Sequence, residues 1–166
     1  AAVAEETTKE SEFTTALGRL TALERLSLDR NEMTLLTSVG SLINLRVLTL
    51  SHNKLQALPE DLCLLRQLKK LAVQHNKLRD LNLSIGQLEN LESLDLRANE
   101  LTFLPASIGQ LVSLKHLDLS ENQLSQLVLS ICDLANLEKI EVKNNPLQRP
   151  PIGTAKQGIG AIRRYF

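Results

Sequence analysis

Asparagine returns at a fixed interval along this chain, at Asn31, Asn53, Asn76, Asn99, Asn122 and Asn145, in one step of 22 residues and then four of 23. The same leucine frame surrounds each one. It reads Leu91, Leu94, Leu96, Asn99, Leu101 in one unit and Leu114, Leu117, Leu119, Asn122, Leu124 in the next. Earlier units give Leu45, Leu48, Leu50, Asn53, Leu55 and Leu68, Leu71, Val73, Asn76, Leu78. The outermost are looser, with Leu23, Leu26, Leu28, Asn31, Met33 at the start and Leu137, Ile140, Val142, Asn145, Leu147 at the end. Self-similarity at this period restricts the fold to a stack of like units, each burying its apolar face against its neighbours.

Within a unit, Leu94-x-Leu96 puts two leucines on one face of a short strand and Ser93, Asp95 and Arg97 on the other. One strand per repeat, re-entered from the same direction, forces a parallel sheet with the connecting coils behind it. The chain must turn sharply after each strand, which leaves backbone groups facing the interior, where an unpaired one costs about 1–3 kcal/mol. An asparagine amide satisfies a donor and an acceptor together, so six in register predict a continuous ladder. Pro59 and Pro105 occupy matching places on the convex side, where a fixed φ starts an extended or turn-like descent. Asn82 and Val128 replace them in the alternate units, and Leu83 and Leu129 then fall on the convex surface half exposed.

The pattern L-x-x-L-x-L-x-x-N-x-L resembles the leucine-rich-repeat family from about residue 13 to about 152. The resemblance implies an α/β fold: a right-handed solenoid, or horseshoe segment, with a parallel concave sheet of about six short strands. Residues 1–12 read as a mobile polar segment, 13–152 as the repeat domain and 153–166 as a C-terminal capping helix. In that last stretch Ile152, Ala155, Ile159, Ile162 and Phe166 recur at helical spacing behind a Thr154 N-cap, while Gly158 and Gly160 weaken the helix. The ending, with N-P-L at 145 to 147, P-P at 150 to 151 and a G-x-x-A-I-x-x-Y-like stretch at 158 to 165, is similar to the intracellular Ras-group type with repeats of about 23 residues. Such segments are often followed by a GTPase or kinase domain.

Composition sets the outer limits. The 166 residues carry equal numbers of acidic and basic side chains, with a pI near 7.1, so a whole-protein basic field for nucleic acid is missing. No apolar run approaches the length of about 18 residues that a membrane span needs. Only 2% of residues are aromatic, which leaves burial to leucine and isoleucine. Cys63 and Cys132 share one place in their repeats, three coils and roughly 15 Å apart, too far for a disulfide, and are expected to be free thiols of a cytoplasmic protein. His52 and His75 fall in register on adjacent coils, with Lys54, Lys70 and Lys77 close by and no third ligand, which reads as a solvated pair rather than a metal site.

Across the concave sheet one row reads Ser27, Thr49, Ala72, Asp95, Asp118, Glu141, so three carboxylates line up on consecutive strands. Like charges in register repel, and Lys70, Arg97, His116, Lys139 and Lys143 in the flanking rows are expected to offset them. These eight residues, Lys70, Asp95, Arg97, His116, Asp118, Lys139, Glu141 and Lys143, form the candidate partner-binding face. No Ser/His/Asp or Cys/His constellation and no phosphate-binding loop is legible, so no catalytic residue, cofactor or metal is assigned. The expected function is non-enzymatic protein recognition in signalling or scaffolding, toward a partner with exposed basic side chains, without nucleic acid or membrane insertion. Two other classes stay open: a targeting arm of an enzyme continuing beyond Phe166, and a secreted recognition protein or effector. Oligomeric state is not legible.

Overall fold

The computed structural model describes residues 16–166; the expected mobile segment 1–12 lies outside the described residues. Six strands of three residues each follow one another: β1 Arg25–Ser27, β2 Val47–Thr49, β3 Lys70–Ala72, β4 Ser93–Asp95, β5 His116–Asp118 and β6 Lys139–Glu141. They pair in chain order, all parallel, in one open sheet. The register joins Leu26 to Leu48, Leu71, Leu94, Leu117 and Ile140, so the middle residue of each strand stacks on its counterpart. From Leu48 onward this column is buried, as are the Leu45 and Leu50 columns on either side of it. Leu26 stands half-buried at the end of the sheet, where no described strand covers it.

Behind the sheet the return path is a stack of short 3-10 helices, η1 Glu60–Leu64, η2 Leu83–Gln87, η3 Ala106–Gln110 and η4 Leu129–Asp133. Pro59 and Pro105 stand immediately before η1 and η3 in extended backbone (φ −64° and −68°), and their carbonyls accept the first turn's N–H from Leu62 and Ile108. Asn82 takes the same place before η2, and its side chain accepts from Ser84 N–H at 2.9 Å. Leu83 and Leu129, which open η2 and η4, are more exposed than the sequence suggests, at 71% and 61%.

The ladder of asparagines forms, with five rungs rather than six. Oδ1 of Asn99 accepts the Leu78 N–H of the preceding coil at 3.0 Å, while Nδ2 donates to Val73 O of that coil at 3.1 Å and to Leu96 O of its own at 3.0 Å. Asn76, Asn122 and Asn145 repeat this geometry, and Asn53 accepts from both Asn31 and Met33 N–H. Asn31 departs from the expectation. Each rung reaches back one coil, no described strand precedes β1, and among the described residues the exposed Asn31 side-chain amide donates to Asp29 O alone, at 3.0 Å.

The residue before each of the six repeat asparagines is left-handed: Arg30, His52, His75, Ala98, Glu121 and Asn144 have φ between 53° and 59°. Glycine is the usual occupant of such backbone, yet none stands here. Pairing between coils holds the conformation, as Arg30, His52, His75, Ala98 and Glu121 each donate their N–H to a carbonyl of the next coil at 2.9–3.0 Å or, for Glu121, 2.8 Å.

The C-terminal helix is broken in two: α1 Ile152–Ala155 and α2 Ile159–Tyr165. Thr154 lies inside α1, whose N-cap position is Pro151, so it is not the cap that its residue type suggested. The interruption falls on Gly158, whose φ of 90° suits glycine and ends the first helix before the second begins. Ala155, Ala161 and Ile162 are buried over the last coil, and Arg163 secures α2 by donating to Leu134 O at 2.6 Å and Cys132 O at 3.2 Å.

Candidate functional site

The outward residues of the strands form two parallel rows. Register places Ser27, Thr49, Ala72, Asp95, Asp118 and Glu141 side by side, flanked by Arg25, Val47, Lys70, Ser93, His116 and Lys139. Ser93, Asp95, His116, Asp118, Lys139 and Glu141, over the backs of Leu94 and Leu117, line an open concavity of about 230 Å³. Seven of the eight candidate residues thus cluster on or beside β4–β6, while Lys70 stands one strand away on β3.

The charges are not evenly offset. Glu141 receives both lysines, Lys139 at 3.4 Å and Lys143 at 3.3 Å. The Lys143 hydrogen bond, working against partial burial and joined by Lys139, holds its carboxyl below the usual range. Arg97, expected to neutralise the row, turns away: its Nε meets Glu121 at 3.3 Å and its Nη2 lies 3.5 Å from His75 Nε2. Asp95 keeps only the Arg97 backbone N–H at 3.1 Å, and Asp118 the Ser120 backbone N–H at 2.8 Å; among the described residues neither has an ion pair. Burial pushes the Asp95 carboxyl up, the Arg97 N–H opposes it, and the neighbouring Asp118 charge adds to the rise. The unpaired site is therefore Asp95 with Asp118, adjacent in register and half-buried.

At the far end of the sheet Asp29 is spoken for. Burial pulls its carboxyl up, but the Thr49 hydroxyl at 2.8 Å, the Ser51 N–H at 2.6 Å and the Ser27 hydroxyl at 3.1 Å together hold it below the usual range. Sequence reasoning missed this cluster because its partners come from two coils. Ser93, His116 and Asp118 do meet on the concavity floor, a grouping not legible in the sequence, but no hydrogen bond joins the three. Among the described residues no group of three or more His, Cys, Asp or Glu is arranged to hold a metal ion. Cys63 and Cys132 are free thiols, and burial raises the Cys132 thiol's pKa.

Leucine-rich-repeat family models match residues 89–147 and 44–65, which together contain four of the ladder asparagines and the Asp95/Asp118 pair. The fold is a leucine-rich-repeat solenoid. Internalin C2 of Listeria monocytogenes superposes with a TM-score of 0.70 at 26% identity, over 76% of this chain and 54% of its own. A leucine-rich-repeat protein of Leptospira interrogans gives 0.56 at 25%, over 79% and 46%. The chain thus spans about half the length of these proteins. Leucine-rich-repeat solenoids present extended concave faces to other macromolecules, and this one is a protein-interaction module. Among the described residues no helix is long and apolar enough to cross a membrane.

Proposed function

We propose that this solenoid recognises a protein partner through its concave face, with Asp95 and Asp118 receiving a cationic side chain, and that it does so in cytoplasmic signalling or scaffolding. One observation carries the reading: the two carboxylates stand in register on β4 and β5 at the concavity floor without an ion pair, while Arg97, Lys139 and Lys143 are engaged elsewhere. Two adjacent carboxylates without a counterion repel each other, so an arriving lysine or arginine relieves a strain already present. A stack in which each coil is fixed by its neighbours loses little conformational freedom on docking. With few aromatic anchors, the interaction is polar and weakens as salt rises. The free thiols and the likeness of the chain's ending to intracellular repeats support the cytoplasmic setting.

Affinity capture from lysate with the wild-type chain beside an Asp95→Lys/Asp118→Lys chain tests the face. A specific partner retained by the first and lost by the second is the expected result. Equal recovery by both would remove the concave site from the interaction.

A further inference from the structure

His52 and His75 stack face to face on the rim of the concave sheet, ring centroids 4.3 Å apart and planes 11° from parallel. Arg97, on the next coil, brings Nη2 to 3.5 Å from His75 Nε2. A guanidinium carries only donors, so as a hydrogen bond this long contact takes the His75 tautomer whose Nε2 is the acceptor. The same guanidinium is held from the other side by Glu121 at 3.3 Å. The result is a relay across four coils, His52 to His75 to Arg97 to Glu121, in which the Arg97 contact needs an acceptor at His75 Nε2.

The groups facing the stack are mostly cationic. His52 looks onto His75, Arg30 and Arg97, with Asp29 as the one acidic neighbour, and Asp29 is already occupied by three hydrogen bonds. His75 faces His52, Arg97 and, across the rim, Asp95. A proton on His75 turns the Arg97 contact from attraction to repulsion, and a second on His52 adds another cation to the stack. Arg97 then leaves His75 for the two carboxylates beside it: Glu121, which already holds its Nε, and Asp95, which already accepts its backbone N–H.

We propose that the stacked pair is a proton-operated gate on the concave face: neutral, it holds Arg97 away from Asp95 and Asp118; protonated, it drives Arg97 onto them and displaces a bound cationic group. The gate rests on the concave reading above. Partial desolvation, with His75 and Arg30 beside it, holds the His52 ring below the usual histidine range, which agrees with an environment hostile to the proton.

The sensor is tested on the full chain without any partner. Over a nuclear magnetic resonance titration from about pH 7.5 to 5, the Arg97 Nε–H signal is expected to shift with the same midpoint as the His75 ring, and to stay flat in His75→Gln. A flat Arg97 signal in the wild type overturns the gate. Binding is tested with an oligo-arginine peptide of eight residues, by calorimetry at about pH 7.5 and 5.5. Wild type should bind about tenfold more weakly at the lower pH, and the His52→Gln/His75→Gln chain should lose less than about threefold. An equal loss in both chains overturns the gate and leaves the concave reading standing. Failure of the wild type to bind at either pH, or undiminished binding by Asp95→Lys/Asp118→Lys, overturns the concave reading and the gate built on it, even where the Arg97 titration remains coupled.

Discussion

Asn99 and Asn31 are the same residue type at the same place in the repeat, and their environments assign them different weights. Replacing Asn99 by leucine strands the buried Leu78 N–H and takes one of two donors from the Val73 and Leu96 carbonyls, which keep the Asn76 and Asn122 amides. With an unpaired buried group costing about 1–3 kcal/mol, a loss of that order and about 2–12 °C in Tm is expected, centred on about 6 °C. Asn31→Leu breaks one exposed bond to Asp29 O, so its melt should fall within about 2 °C of wild type. Equal effects in the two chains would deny the ladder its role. The ladder was legible because an amide's two-sided hydrogen bonding leaves a residue-type signature at each turn. The left-handed column beside it was not, since Arg30, His52, His75, Ala98, Glu121 and Asn144 share no chemistry; coil-to-coil bonding imposes their φ, and Ala98→Gly should raise Tm slightly by relieving it. The same gap hid part of the site. Alternation in the strands was enough to align Asp95, Asp118 and Glu141, but the direction taken by Arg97 depends on where the left-handed turn sets His75 and on the Glu121 of the next coil.

Among the elements, the 3-10 stack is the most tightly drawn. A Cβ on Gly86 would stand 2.5 Å from the Ser107 backbone oxygen, and one on Gly109 would strike that of Ser130. Backbone cannot step aside there without parting two coils, so Gly86→Ala and Gly109→Ala are expected to lower Tm by several degrees, about 2–4 °C for each kcal/mol lost. Gly40 meets the side chains of Asp61 and Leu64 rather than backbone, so its alanine variant should cost less, chiefly the Ser38, Val39 and Gly40 hydrogen bonds to the Asp61 carboxylate. Gly153, inside α1, has nothing within 4 Å of its would-be Cβ, so Gly153→Ala should be neutral or gain about 0.5–1 kcal/mol. Thermal melts of the four variants check that order. The repeat register shows that these glycines share a position, but not why: the close approach appears only once η2, η3 and η4 are stacked. In the same way the spacing of Ile152, Ala155, Ile159 and Ile162 gave an apolar face for the terminal helix, while Gly158 was read as a penalty within it. The backbone uses that glycine's freedom to turn between two shorter helices.

For the whole molecule, proton linkage and nearest-neighbour stacking set where stability is lost. His52 has a lowered pKa in the folded chain, so below its unfolded value, near 6.5, the unfolded chain binds more protons and stability falls as pH drops. Asp29, Glu92 and Glu141 are also lowered; their contributions are present above the unfolded carboxylate range and lost as pH falls through it. Tm should therefore decline from pH 7 to 5, with a smaller decline in His52→Gln, and then fall faster toward pH 3. Packing loss should behave differently, because each coil touches only its neighbours and damage at one end need not reach the other. Ile162 is fully buried between α2 and the last coil, and Arg163 beside it ties α2 to the carbonyls closing η4. Ile162→Asp should undock α2 and expose the η4 and β6 coil. Amide exchange should then accelerate first in 129–145, by about tenfold or more for each 1.4 kcal/mol lost locally, while β2 to β4 keep their protection. Uniform acceleration across all six strands would mean instead that the stack unfolds as one cooperative body, and that the C-terminal helices stabilise the distant coils as strongly as the one they cover.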